Sequence, residues 1–246
     1  MENNRSSHLG TSLLVIAVIA VVIVTTMMFG AKLGFWQPIV GFGLVRTYMN
    51  LIAYGLLGLG VLGFVQQKIA RNSCGVIKSS LTALIGLAML APTLYGKINP
   101  PVRLPPIHDI STNTVTPPEF LILDDNRVGA RNTLVYGGPE VAVLQNKAYS
   151  DIAPIESGLS AAEAFNEALR VADIMGWELV AQDVENLRYE ATARTSVYGF
   201  VDDVVVVVTP VGDVSRIDIR SVSRIGRGDR GVNAARVRAF IKTFEG

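Results

Sequence analysis

Three long apolar runs without a single ionised side chain dominate this chain. They are residues 12–30 (SLLVIAVIAVVIVTTMMFG), 47–65 (TYMNLIAYGLLGLGVLGFV) and 79–96 (SSLTALIGLAMLAPTLYG). Nineteen helical residues span about 28 Å, close to the hydrocarbon thickness of a bilayer. Water penalises such runs and lipid accommodates them, so three transmembrane helices are expected, with the lipid bilayer as their solvent. The third run is the shortest, and a buried core helix is its alternative reading. The first could serve as a signal peptide, but it is long and Phe29-Gly30-Ala31 is a poor cleavage site.

Charge divides the chain at the same place. Residues 1–96 hold six basic residues against the single acid Glu2, a net of +5, while residues 97–246 hold sixteen basic residues against twenty acids, a net of −4. This predicts a membrane region over 1–96, a proline-rich linker over 97–120 and a soluble domain over 121–246. Lys68, Arg71 and Lys78 flank the second loop without an acid. The positive-inside rule places that loop in the cytoplasm and the C-terminal domain outside, periplasmic if the membrane is a bacterial inner (plasma) membrane. No charge lies within a run, which argues against a proton relay or ion pathway. Gly55, Gly58, Gly60 and Gly63 crowd the second run, where small residues allow close packing against the other spans or, alternatively, self-association.

The linker carries six prolines and is expected to be extended. FLIL at 120–123 reads as a possible short strand, and 124–158 as turns and extended chain. Ser160 and Glu163 have the spacing of a capping box opening a helix to about Met175. Strands are expected over 177–183, 188–195, 201–209 and 215–225, and a last helix over about 233–245. The fold class is thus membrane-anchored α+β, with an α-β-β-β-β-α domain built on an antiparallel sheet. Arg188, Glu190, Thr192 and Arg194 alternate with smaller or apolar residues on the second strand. Arg216, Asp218, Arg220 and Arg224 do so on the fourth. If the valine-rich strand lies between them, both rows share one face, either a solvated face laced with ion pairs or a binding surface.

Gly226-Arg-Gly228-Asp-Arg-Gly231 has the spacing of a dinucleotide-binding loop, but no strand follows the last helix, so no βαβ unit can form. What remains is a glycine-rich helix start beside Arg224, Arg227 and Arg230, in a stretch (216–242) with eight basic residues and two acids. An anionic envelope component or a membrane protein is the expected partner, and nothing points to nucleic acid. Arg227-Gly228-Asp229 is too short a match to carry an adhesion reading. Asp202 and Asp203 are adjacent on a strand and so point to opposite faces, a poor joint site. His108-Asp109 in the linker lacks an identifiable nucleophile or oxyanion donor. With one cysteine, Cys74, and one histidine in the C-terminal part, a Cys/His zinc site is excluded. No metal or cofactor is implied.

PPIHDISTN at 105–113, YSDIAPIESG at 149–158, MGWELV at 175–180, YGFVDDVVVVV at 198–208 and DIRSVSRIGRGDRGVNAARVRAF at 218–240 resemble the family called domain of unknown function 1499. The resemblance covers about residues 100–245. It implies hydrophobic helices in front, an origin in bacteria or plastids, and no established activity, cofactor or substrate. Asp109, Asp202, Asp203, Asp218, Arg220, Ser221, Ser223, Arg224, Gly226, Asp229, Gly231, Asn233 and Arg236 match its recurrent pattern. Arg230 and Asn113 depart from it. The candidate surface is therefore Asp202, Asp203, Asp218, Arg220, Ser223, Arg224, Arg227, Asp229, Asn233 and Arg236, with His108 and Asp109 from the linker. A binding or scaffold module is the first expectation. An envelope hydrolase using Asp202, Asp218 or His108 is the second, and a structural subunit of a membrane complex the third.

Overall fold

In a computed structural model, residues 2–246 are described, with side chains from residue 8 onward. The chain divides into two compact units. The first holds three helices: α1 (Glu2–Phe29), α2 (Pro38–Ile69) and α3 (Ser73–Ile98). Each contains a stretch long and apolar enough to cross a membrane. A three-residue turn, Ala70–Asn72, reverses the chain between α2 and α3, and Asn72 caps α3 by accepting from the Gly75 amide at 3.1 Å.

Small residues set the spacing between these helices. A β-carbon on Gly60 would sit 2.4 Å from the Ala83 backbone nitrogen, and one on Gly63 would meet Leu13 and Ser79. These two glycines seat α2 against its neighbours, as close packing requires. Gly55 and Gly58 meet nothing within 4 Å. Thr93 donates to Asn50 at 2.8 Å, so a polar pair on α3 and α2 satisfies itself.

The second unit is a six-stranded antiparallel sheet with helices on one face. Its strands are β1 (Asp109–Ser111), β2 (Ile155–Ser157), β3 (Glu178–Asp183), β4 (Arg188–Arg194), β5 (Val201–Val211) and β6 (Val214–Ser223). The order is β1-β6-β5-β4-β3, and β2 also pairs with β6. The long meander β3 to β6 follows from short turns and β-branched runs. Helices α5 (Ala161–Ile174) and α6 (Val232–Phe244) cover one face, and a further helix, α4 (Gly138–Ala148), precedes them. Phe165, Val171, Tyr189, Val204, Val206, Ile217, Ile219, Val237 and Phe240 form the core between helices and sheet. Trp177 stacks on Phe240, with ring centroids 5.5 Å apart. The Ser160 capping box forms as expected and opens α5.

Central β5 is buried on both faces: Val204 and Val206 lie in the helix-side core, and Val205 is fully buried on the other side. A second cover must therefore exist, and it is the chain from 112 to 136, which has no regular secondary structure. Four expectations are corrected here. FLIL forms no strand, because the Leu121, Ile122 and Leu123 amides all donate to the Glu190 carboxylate instead of a strand partner. The stretch 124–158 contains α4 and β2 as well as turns. Residues 109–111 form a strand within the expected linker. The charged face of the sheet is buried under 112–136 rather than solvated.

Candidate functional site

The register brings the charged rows of β4 and β6 onto one face, with β5 between them: Glu190 stands opposite Val205, and Val205 opposite Arg220. Three buried charge clusters on this face hold segment 112–136, the strap, in place.

At the β6 end, Arg220 is 2% exposed. Its guanidinium makes a two-point ion pair with Asp109, at 2.9 and 2.7 Å, and also donates to the Pro118 and Leu134 carbonyls at 3.0 and 2.7 Å. The rings of Phe120 and Tyr136 lie 5.4 and 5.3 Å from it. A planar, delocalised cation suits such a fork-and-ring site, where a lysine could not reproduce the contacts. Burial and the nearby Asp109 charge push the Tyr136 hydroxyl up to about 12.

Asp203, wholly buried, anchors the second cluster. It accepts from Arg127 at 2.5 Å and from Arg224 at 2.7 and 3.0 Å. Both arginines also hold strap carbonyls: Arg127 those of Asp124 and Asn132, Arg224 that of Val128. Asp125 closes the turn by accepting from the Leu134 amide and the Thr133 hydroxyl, and these bonds hold its carboxyl below its ordinary value. At the β4 end Glu190 sits in the nest of three amides already described, a concave set of donors suited to an anion. Arg188 lies 3.7 Å from it and donates to the Glu119 carbonyl. Asp218 is held by Arg216 and by the Thr112 hydroxyl, both at 3.1 Å.

Asp202, one residue from Asp203, points to the helix side. It accepts from Arg236 at 2.5 Å. Asn233 there accepts from Ser221 at 2.7 Å and donates to Ser223 and to the His108 carbonyl at 2.8 and 2.9 Å. This network ties the start of α6 to β6. Asp229 caps α6, accepting from the Gly231 and Asn233 amides at 2.9 and 2.6 Å. Burial, with a smaller contribution from Asp202, raises its carboxyl above the ordinary range. Its carboxylate already occupies the helix start that the glycine-rich loop offered to an anion.

The candidate residues therefore fall into three places. Asp109, Asp203, Asp218, Arg220 and Arg224 lie under the strap. Asp202, Ser223, Asn233 and Arg236 lie on the helix side. Asp229, Arg227 and His108 border the loop before α6, where His108 Nδ1 is 3.4 Å from the Arg227 carbonyl. The sheet separates the first two groups, so they share no cavity. Sequence reasoning missed Glu190 as an anchor, Arg127, and the ring pair Phe120 and Tyr136. It also missed Gln145, whose amide pairs with both backbone groups of Ser111, at 3.0 and 2.6 Å, as a strand would. Only the alternation on β4 hinted at Glu190; the others lie in a stretch without periodicity.

Two surface depressions have volumes near 380 and 350 Å³, one by Asp151, Arg238 and Lys242, the other by Ile122, Asp183 and Glu190. Neither is lined by Asp202, Asp203, Asp218, Arg220 or His108. Among the described residues no group of three His, Cys, Asp or Glu is placed to hold a metal ion.

Comparison with curated proteins gives no match. The family described as "Protein of unknown function (DUF1499)" matches residues 109–244, which run from the first residue of β1 to the last of α6. On that match, which takes in every anchor residue of β1, β4, β5 and β6 as well as the strap itself, the chain belongs to the DUF1499 family.

Proposed function

We propose that this is an integral membrane protein that presents its α+β domain on the extracytoplasmic side as a binding or scaffold module. The membrane is the bacterial inner (plasma) membrane and the domain is periplasmic. The observation that carries the reading is how the ionisable groups are used: Asp109, Asp202 and Asp203 are each held by arginine, and Glu190 by backbone amides. A hydrolytic carboxylate needs access to substrate and a tunable proton, and these groups are committed to holding segments together. That favours a rigid presented domain over the hydrolase alternative. The same commitment of Arg220, Arg224 and Arg236 leaves fewer cations for an anionic envelope component and favours a protein partner.

Orientation rests on Lys68, Arg71 and Lys78 around the α2–α3 turn. A C-terminal fusion to alkaline phosphatase, active only outside the cytoplasm, is expected to be active, and a fusion to a fluorescent protein that folds only inside to be dark. The reverse pattern overturns the placement.

A further inference from the structure

The sheet has two ends, and the chain enters the domain at one of them. Central β5 runs 11 residues from Val201 to Val211, about 35 Å. The register puts the start of β1, the end of β6 and the β4–β5 turn at the Val201 end, with Asp109 opposite Val222 and Arg194 opposite Val201. The β3–β4 and β5–β6 turns stand at the Val211 end, with Asp183 opposite Arg188 and Val211 opposite Val214. The entering chain is fastened to the glycine-rich loop. The Asp229 amide donates to the Ile107 carbonyl at 3.1 Å, and a β-carbon on Gly228 would lie 3.0 Å from Pro106 Cα. One on Gly231 would lie 2.9 Å from Leu104. These glycines thus seat residues 104–107. Only residues 99–103 remain between that fastening and Ile98, the last residue of α3. Fully extended they reach at most about 18 Å. Covalent reach therefore keeps the Val201 end close to the bilayer that anchors α3.

The two ends differ in charge. At or beside the Val201 end, Arg103, Arg131 and Arg227 are exposed, and their side chains make no ion pair or hydrogen bond among the described residues. The Arg131 amide donates to the Arg224 carbonyl at 2.7 Å, which fixes the tip of the strap turn just past β6. Val128, in the same turn, is 88% exposed, and its carbonyl accepts from Arg224 at 2.8 Å. The acids here are engaged. Asp203 lies between Arg127 and Arg224, Asp202 pairs with Arg236, and Asp229 accepts from the α6 amides. In the strap turn Asp124 accepts from the Asn126 amide and Asp125 from Thr133. At the Val211 end the balance reverses: Glu185 and Asp213 are exposed.

We propose that the Val201 end of the domain docks on anionic lipid headgroups of the bilayer that anchors the chain. Arg103, Arg131 and Arg227 meet the headgroup phosphates, for which a guanidinium fork is suited. Val128 enters the interface, where apolar burial adds to the attraction of cations for an anionic surface. These arginines are distinct from the ones that the buried pairs consume. The acidic Val211 end, repelled by the same surface, is held away from the lipid and faces a partner. The inference rests on the reading of the chain as a membrane-anchored presented domain and names the surface that orients it. It holds on whichever side of the membrane the domain lies.

The test uses the full chain in nanodiscs of phosphatidylcholine alone or mixed equally with phosphatidylglycerol, each with a trace of lipid spin-labelled at the headgroup. A fluorophore is attached at Val128→Cys, or at Asp213→Cys as the far-end control, both in a Cys74→Ser background. Quenching at 128 is expected to be stronger in the anionic discs than in the neutral ones, with 213 unquenched in both. Arg131→Gln and Arg227→Gln should each lower the docked-to-undocked ratio about fivefold. High salt should lower it too, whereas Arg131→Lys, which keeps the charge, should preserve docking. These positions are exposed, and unchanged thermal unfolding confirms the fold. Equal quenching at 128 in the two lipids, quenching at 213 in place of 128, or indifference to both glutamine substitutions overturns the proposal. So does loss of docking in inorganic phosphate at an ionic strength where sodium chloride has no effect, because the arginines then hold a soluble anion. If quenching fails while the phosphatase fusion stays active, lipid docking is lost and the presented-domain reading stands. If the fusions report the opposite side while quenching at 128 persists, the placement alone is lost.

Discussion

Arg220 shows how one side chain organises this domain. Buried with Asp109 and bracketed by two rings, it joins β6, β1 and both ends of the strap. Removing one partner of a buried, hydrogen-bonded pair leaves an uncompensated charge and costs about 3–5 kcal/mol. Arg220→Lys keeps the charge but loses the fork and the ring contacts. It is expected to lower the melting temperature of the extramembrane domain nearly as far as Arg220→Ala, followed by near-ultraviolet circular dichroism of the full chain in detergent. Two groups give pH dependence. Folding raises the Asp229 carboxyl, so its protonated form is the one folding favours. That contribution is complete below the unfolded value of about 3.9 and is lost as pH rises through the raised folded value. Asp229→Asn removes the titration. Its stability relative to the parent chain should therefore improve from pH 4 to pH 7, measured by thermal unfolding at each pH. Tyr136 behaves alike at the alkaline end: stability is lost as pH climbs from about 10 toward about 12, and Tyr136→Phe should flatten that loss.

At the scale of elements, the strap is the part that periodicity does not reveal. Its stability comes from charges on the sheet that reach up to its backbone. Glu190→Gln would turn an amide donor toward three backbone donors, and hydrogen bonds to a charged group are worth about 1.5–3 kcal/mol each. We expect a loss of at least about 2 kcal/mol and faster hydrogen exchange confined first to residues 119–136. Loss of the Ser160 cap in Ser160→Ala should cost about 1 kcal/mol and leave the strap unchanged. What the sequence makes legible follows the same physics. The four long strands, α5 and α6 have period-two or helical patterns and caps, and the structure has them where the patterns lie. The shared face of the two charged rows also follows from alternation alone. The strap and α4 have no such pattern. Leu121, Ile122 and Leu123 look like a strand but spend their amides on Glu190. In α4 Gln145 is the one buried residue, so no apolar stripe announces the helix behind Gly137-Gly138-Pro139. Of the candidate residues, Asp109, Asp203, Arg220 and Arg224 hold the strap and Asp202, Asn233 and Arg236 tie α6 to β5 and β6, while the anchors Glu190 and Arg127 are not among them. Their burial depends on the strap and could not be read from β6 alone.

For the whole molecule, three helices long and apolar enough to cross a membrane and a charge-rich domain suit two different solvents. The protein is expected to stay in the membrane fraction through alkaline carbonate and to leave it only with detergent. Recovery in the aqueous fraction would contradict the assignment of the helices. The chain's one cysteine gives the most direct test of the central claim, that the helices span the membrane and leave the domain outside. Cys74 is exposed beside the α2–α3 turn. Val143, 67% exposed on α4, can be changed to cysteine in a Cys74→Ser background. In intact cells, with the outer envelope permeable, a membrane-impermeant maleimide should label the cysteine at 143 and spare Cys74. Cys74 should react only after the membrane is opened. Labelling of Cys74 in intact cells, with the cysteine at 143 protected, would contradict the account.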